Sequence, residues 1–227
     1  MQQITLDIGT PLLPTLENFY PGPNAEALAY LQQWLAAADD GAAPVVGMYI
    51  AGPAGSGKSH LVHALVHALR GKGKSVGVLG SDSQASASFD PAWSAVFLED
   101  VHAYDSALQH TAFNWFVNAQ TEQIAVFATG TEVPRALAVR EDLRTRLGGG
   151  QVFRLQTLRE AEVRTVLRSS AQQRGLVLGE EVLDFVMHRF SRDLGSLMPL
   201  LAALDHYALQ TQRAITIPFV KTMLERL

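Results

Sequence analysis

Apolar and polar positions along this chain of 227 residues follow two alternating periods and then settle into one. Residues 45–51, VVGMYIA, are apolar throughout, the pattern of a parallel strand buried on both faces. The runs SVGVLG (75–80), AVFLED (95–100), IAVFATG (124–130) and QVFRL (151–155) predict four more strands. Between them lie stretches of helical spacing. Residues 24–38 read as a helix capped by Asn24. LVHALVHALR (61–70) reads as a second, closed by Gly71 and Gly73. SALQHTAFNWFVNAQTE (106–122) and VPRALAVREDLRTRL (133–147) read as two more, the last stopped by Gly148, Gly149 and Gly150. SDSQASASFDP (81–91) is small and polar, a loop or a weak helix. Beyond residue 155 the strand signals cease. Helices are expected near 159–174, 180–190, 193–212 and 218–227, with Pro218 in a first turn where its missing N–H costs nothing. Alternating strands and helices followed by helices alone predict an α/β fold, a doubly wound parallel sheet with a small all-helical lid. The expected boundaries are a tail at 1–15, a base at 16–156 and a lid at 157–227.

Composition narrows the class. Apolar residues make up 48% and charged residues 18%, the balance of a soluble globular protein. The apolar runs fall short of the roughly 20 residues that cross a bilayer. The N-terminus lacks the basic and apolar blocks of a secretory signal. The absence of cysteine excludes disulfides and thiolate metal sites. These features predict a cytoplasmic protein with no membrane partner. A net charge of −4 argues against coating nucleic acid by charge alone. The charge is uneven, however. From Arg135 to Arg174 nine arginines face four acids, Glu141, Asp142, Glu160 and Glu162. A cationic zone toward a nucleotide or acidic partner and an ordinary exposed helix face are both open readings.

The sharpest chemical signal lies between the first strand and the helix after it. Gly52, Pro53, Ala54, Gly55, Ser56, Gly57, Lys58 and Ser59 match GxxxxGK[ST] in full. Such glycines let the backbone curl so that successive N–H groups face phosphate oxygens. The helix start adds its partial positive charge. Lys58 is expected to reach the β- and γ-phosphates, and Ser59 to offer its hydroxyl oxygen to Mg²⁺. A glycine-rich turn that merely contains a lysine is the plain alternative, and the strand–loop–helix context argues against it.

Glu99 and Asp100 end the run AVFL, where an acid pair completes such a site. One acid holds the Mg²⁺ shell, here Glu99 beside Ser59, and the other orients the attacking water. An aspartate usually stands first, so the longer Glu99 predicts weak hydrolysis by this chain. Thr129 ends the fourth strand, where a polar residue can touch the γ-phosphate or the water, although threonine is also an ordinary strand former. His60, His63 and His67 share helical spacing. A zinc site is conceivable, but with no acid nearby in sequence, helix packing and capping is the favoured reading.

Several runs now carry a family resemblance. Lys58 to Ala64, KSHLVHA, resembles the K-[ST]-H-L-x-H-A run of the bacterial replication initiator DnaA and its relatives. Phe19 to Asn24, FYPGPN, resembles their lead-in F-x-x-G-x-N. LRTRLGGG (143–150) resembles the segment ending S-R-[FL]-x-W-G, which sets Arg146 at the arginine-finger position and Gly149 where the Trp stands. Arg192, Asp193 and Leu194 resemble the sensor-2 run R-E-[LM] at the start of a lid helix. From about residue 16 onward the chain is similar to DnaA-like AAA+ ATPases. It resembles the short Hda-type regulators that inactivate DnaA and lack the DNA-binding domain after the lid. ITIPFVKTMLERL (215–227) resembles their ending. At the N-terminus, QITLDI (3–8) is similar to the Q-L-x-L-x-L motif that binds the bacterial sliding clamp. In such a peptide the Gln3 amide makes polar contacts and Ile4, Leu6 and Ile8 enter pockets.

The resemblance implies a docking event. The clamp, loaded on DNA, recruits the chain through residues 3–8, so that DNA is met indirectly. Arg146 reaches in trans toward ATP held by DnaA, and such fingers are worth about 10³–10⁵ in rate. The chain then acts mainly as an activator of a partner's ATPase, with weak or no ATPase of its own. Its own ADP or ATP, with Mg²⁺, is a conformational switch touching Phe19, Tyr20, Pro21, the loop from Gly52 to Ser59, His60 and Arg192. ADP is the active ligand that the resemblance implies. A homo-oligomer is also open, because AAA+ modules often associate head to tail. The alternatives are an AAA+ loader or motor on single-stranded DNA, which calls for a basic, aromatic surface, and a small-metabolite kinase.

Overall fold

The computed structural model describes residues 13–39, 47–190 and 193–225. They divide into two compact units, one of Pro14–Thr157 and one of the residues from Leu158 onward together with Leu13.

The first unit is built on five parallel strands: β1 (Met48–Ala51), β2 (Val76–Leu79), β3 (Ala95–Leu98), β4 (Ala125–Gly130) and β5 (Gln151–Arg154). Their spatial order is β2-β3-β4-β1-β5. Each run is short and rich in Val, Phe, Ile and Leu, and every residue of β1, β3 and β4 is buried. Side-chain alternation assigns the two faces. Met48, Ile50, Ala95, Phe97, Ala125 and Phe127 share one core with α1 (Ala25–Asp39) and α2 (Lys58–Gly71). Tyr49, Ala51, Val96, Leu98, Val126 and Ala128 share the other with α3 (Ser106–Thr121) and α4 (Glu141–Leu147). Helices on both faces of a parallel sheet make the fold doubly wound, as expected.

Two local expectations are corrected. Asn24 does not cap α1. It sits in a short 3₁₀ turn, Gly22–Asn24, and its amide donates to the Gln156 carbonyl (2.9 Å) and accepts from the Gln156 N–H (2.8 Å). The helix expected over residues 133–147 is a 3₁₀ turn at Pro134–Ala136, an extended link, and then α4. The link is held open because Leu137 and Val139 are drawn into the core and the Arg140 N–H donates to the Gln109 side chain. Residues 81–91 form turns, tied to α3 where Thr111 donates to Ala85 and Trp115 donates to Ala87.

The second unit is four helices: α5 (Glu160–Gln173), α6 (Glu180–Arg189), α7 (Leu194–Thr211) and α8 (Ile217–Leu224). Val163, Leu167, Val182, Val186, Leu197, Leu204 and Val220 are among its core. Asp193 caps α7 by accepting from the Ser196 N–H (2.8 Å). Thr216 caps α8 by accepting from the Phe219 N–H. No helix among the described residues is long and apolar enough to cross a membrane.

Candidate functional site

Parallel strands bring every loop that follows a strand to one edge of the sheet, where α/β proteins gather ligand-binding groups. Gly52–Ser59 after β1, Glu99 and Asp100 after β3, and Thr129 at the end of β4 meet there. The loop turns into α2 through Gly57, whose φ of 96° is left-handed and suits glycine. A Cβ at that position would lie 2.7 Å from the Phe19 ring. Phe19 is buried, and its ring also packs on His60 at 5.5 Å between centroids. It therefore supports the loop from below. The His60 Nε2–H donates to the Thr15 carbonyl (3.0 Å), and burial pulls its pKa down. Tyr20 and Pro21 follow, half-buried.

The loop has the donor set of an anion cradle. The Lys58 ammonium is buried and donates to the carbonyls of Gly52 (2.8 Å) and Pro53 (3.1 Å). Burial lowers its pKa, and the charge of Asp100 opposes that shift. The Ser56 hydroxyl is buried with no hydrogen-bond partner among the described residues. Ser59 is exposed in the first turn of α2. A helix start, an orphan hydroxyl and a buried ammonium fit a nucleoside phosphate.

The two acids have different company. Glu99 follows β3 on the side of Ala95 and Phe97, and meets His63 of α2 at 3.3 Å. Burial raises its pKa, the His63 ring opposes this, and Asp100 adds to it. Asp100 is left-handed, with φ 52°, and its N–H donates to the buried Thr129 hydroxyl (2.9 Å). Thr129 thus fixes the turn that carries the acids. The end of β4 is crowded: the Tyr49 hydroxyl donates to Glu132, and a Cβ on Gly130 would lie 2.0 Å from it.

Arg146 is not part of this edge. It lines a cavity of about 510 Å³ with Gly47, Ile124, Val126, Gly149 and Gly150, where β1, β4 and β5 begin. Its guanidinium donates to Gln120 and lies 5.8 Å from the Phe113 ring centroid. Arg140 is clasped by Asp142 at 2.8 and 2.6 Å, which holds the Asp142 carboxyl below its usual range. Arg144 makes no ion pair among the described residues.

Gln3, Ile4, Leu6, Ile8 and Arg192 lie outside the described residues. His63 is the site residue that helix packing did not foresee. The readable signal was its spacing of four from Ser59. No group of three or more His, Asp or Glu able to hold a metal occurs among the described residues.

Residues 160–224 match the family model of the Hda lid domain. Domain III of the replication initiation protein DnaA from Thermotoga maritima is similar at a TM-score of 0.72 and 20% identity, over 99% of this chain and 98% of that chain. AMPPCP-bound DnaA from Aquifex aeolicus is similar at 0.64 and 20%, over 79% of this chain and 61% of that one. The RuvB Holliday junction branch migration motor from Thermotoga maritima is similar at 0.64 and 16%, over 94% and 72%. The chain thus has the DnaA-like AAA+ fold and carries a lid domain of the Hda type at residues 160–224.

Proposed function

We propose that this chain is a regulator of the replication initiator DnaA, governed by its own adenine nucleotide. The Hda-type lid on a DnaA-like fold carries this reading. Lys58, Ser56 and the N–H groups of the loop hold the phosphates, and Ser59 and Glu99 hold Mg²⁺. Asp100, fixed through Thr129, stands near the Lys58 charge and would orient water. ADP or ATP sets the presentation of the surface that meets DnaA, with Phe19, Tyr20, Pro21 and His60 around the ligand.

In the proposed complex Arg146 acts on ATP bound to DnaA. One observation favours action in trans. Arg146 stands where the strands begin, and Gly52–Ser59 where they end. A four-residue strand spans about 13 Å, so Arg146 stands at the opposite edge of the sheet from the chain's own phosphate loop. Residues 3–8 dock on the DNA-loaded sliding clamp and bring the two proteins together. In this reading the chain is an activator with little turnover of its own. AMPPCP binding in the Aquifex aeolicus relative supports an adenine nucleotide as the ligand.

The first test is calorimetric titration of the purified chain with ADP and ATP, followed by co-sedimentation with DnaA. Binding of either nucleotide is expected, and Lys58→Ala abolishes it. DnaA then co-sediments with the nucleotide-bound chain and not with Lys58→Ala. Strong binding to single-stranded DNA without clamp or DnaA would favour the loader reading instead.

A further inference from the structure

Glu99 has a partner other than the nucleotide site. Its Oε2 lies 3.3 Å from Nε2 of His63, and the His63 side chain is 49% exposed against 16% for Glu99. Two periodicities produce this contact. Glu99 continues the β3 alternation on the side of Ala95 and Phe97, whose core is shared with α2. His63 follows Ser59 by four residues, so the two project from one face of α2. They are separated by one turn, about 5.4 Å along the helix. Leu61, Val62, Leu65 and Val66 turn into the core, which leaves Ser59 and His63 exposed, with His63 against the acid. Glu99 thus meets α2 at the His63 imidazole, one helical turn along from the exposed Ser59 at the helix start.

We propose that His63 is a positioning residue that holds Glu99 one helical turn along α2 from Ser59, so that Mg²⁺ must break the His63–Glu99 contact when it binds with nucleotide. This rests on the reading of Ser59 and Glu99 as the Mg²⁺ side of the nucleotide site. Nucleotide without metal leaves the contact in place. Metal competes with His63 for the same carboxylate, and a chain that resists loading of its own Mg²⁺ is biased toward switching rather than turnover.

The test uses the full chain and its His63→Ala and His63→Gln variants. Calorimetry gives the ADP affinity in EDTA, and titration of Mg²⁺ into ADP-saturated protein gives the half-saturating metal concentration. The ADP affinity without metal is expected to stay within about twofold in both variants. His63→Ala lowers the Mg²⁺ half-saturation about two- to fivefold, the range of a partly exposed polar side-chain contact. His63→Gln, whose amide still donates to the carboxylate, returns most of the wild-type value. A merely structural histidine would shift metal-free ADP binding and the melting temperature together, without rescue by glutamine. Unchanged or weaker Mg²⁺ binding in His63→Ala, with normal ADP binding, overturns the inference and leaves the nucleotide reading standing. Failure of the wild-type chain to bind any adenine nucleotide overturns both.

Discussion

Gly57 shows how much the phosphate loop depends on single atoms. Its backbone is left-handed, and the Phe19 ring occupies the space beside it. Gly57→Ala adds backbone strain of about 1–3 kcal/mol and a clash. Denaturant unfolding should show a loss of that order, with nucleotide affinity lost too. The neighbouring arginines separate in the same way. Arg140 is committed to Asp142, so Arg140→Ala should let the Asp142 titration midpoint rise toward an ordinary carboxyl, read by NMR. The sign is fixed by cause: the guanidinium stabilises the carboxylate, so its removal favours the proton. The placement of the loop between β1 and α2 was legible in the sequence because it is local: spacing alone sets Lys58 and Ser59 at a helix start. His63 was not legible as a partner of Glu99, since that contact joins residues 36 apart through the packing of α2 on the sheet.

Elements were legible where one face is uniformly apolar. The five strands and the lid helices follow their hydrophobic periods closely. The misread stretch, 133–147, contains helix-favouring residues, yet Leu137 and Val139 are drawn into the core from an extended backbone. Tertiary burial outweighs a propensity worth a few tenths of a kcal/mol per residue. Asn24 was misread for a related reason. An asparagine before a helix suits a cap, but both halves of its amide are taken by Gln156, just beyond β5. Asn24→Ala leaves the Gln156 carbonyl and N–H without these partners. A loss of roughly 1–3 kcal/mol is expected, measured by thermal or chemical unfolding. Asp193→Ala removes the cap of α7 and should cost about 0.5–2 kcal/mol.

At the scale of the molecule, the edge where strands end gathers a phosphate cradle and two acids, and the edge where they begin presents Arg146. The first arrangement suits a ligand of the chain's own, and the second suits a ligand held by a neighbour. The sequence could align Arg146 with a finger motif, but only the fold separates it from its own phosphate loop. The measurement that tests this division most directly is hydrolysis of DnaA-bound ATP in the presence of clamp loaded on DNA, with and without this chain. Hydrolysis is predicted to rise only with clamp present. Arg146→Ala and deletion of residues 1–8 should each abolish the rise, while Arg146→Ala still binds ADP. Unchanged DnaA turnover with the wild-type chain and loaded clamp, or an undiminished rise with Arg146→Ala, would contradict the account.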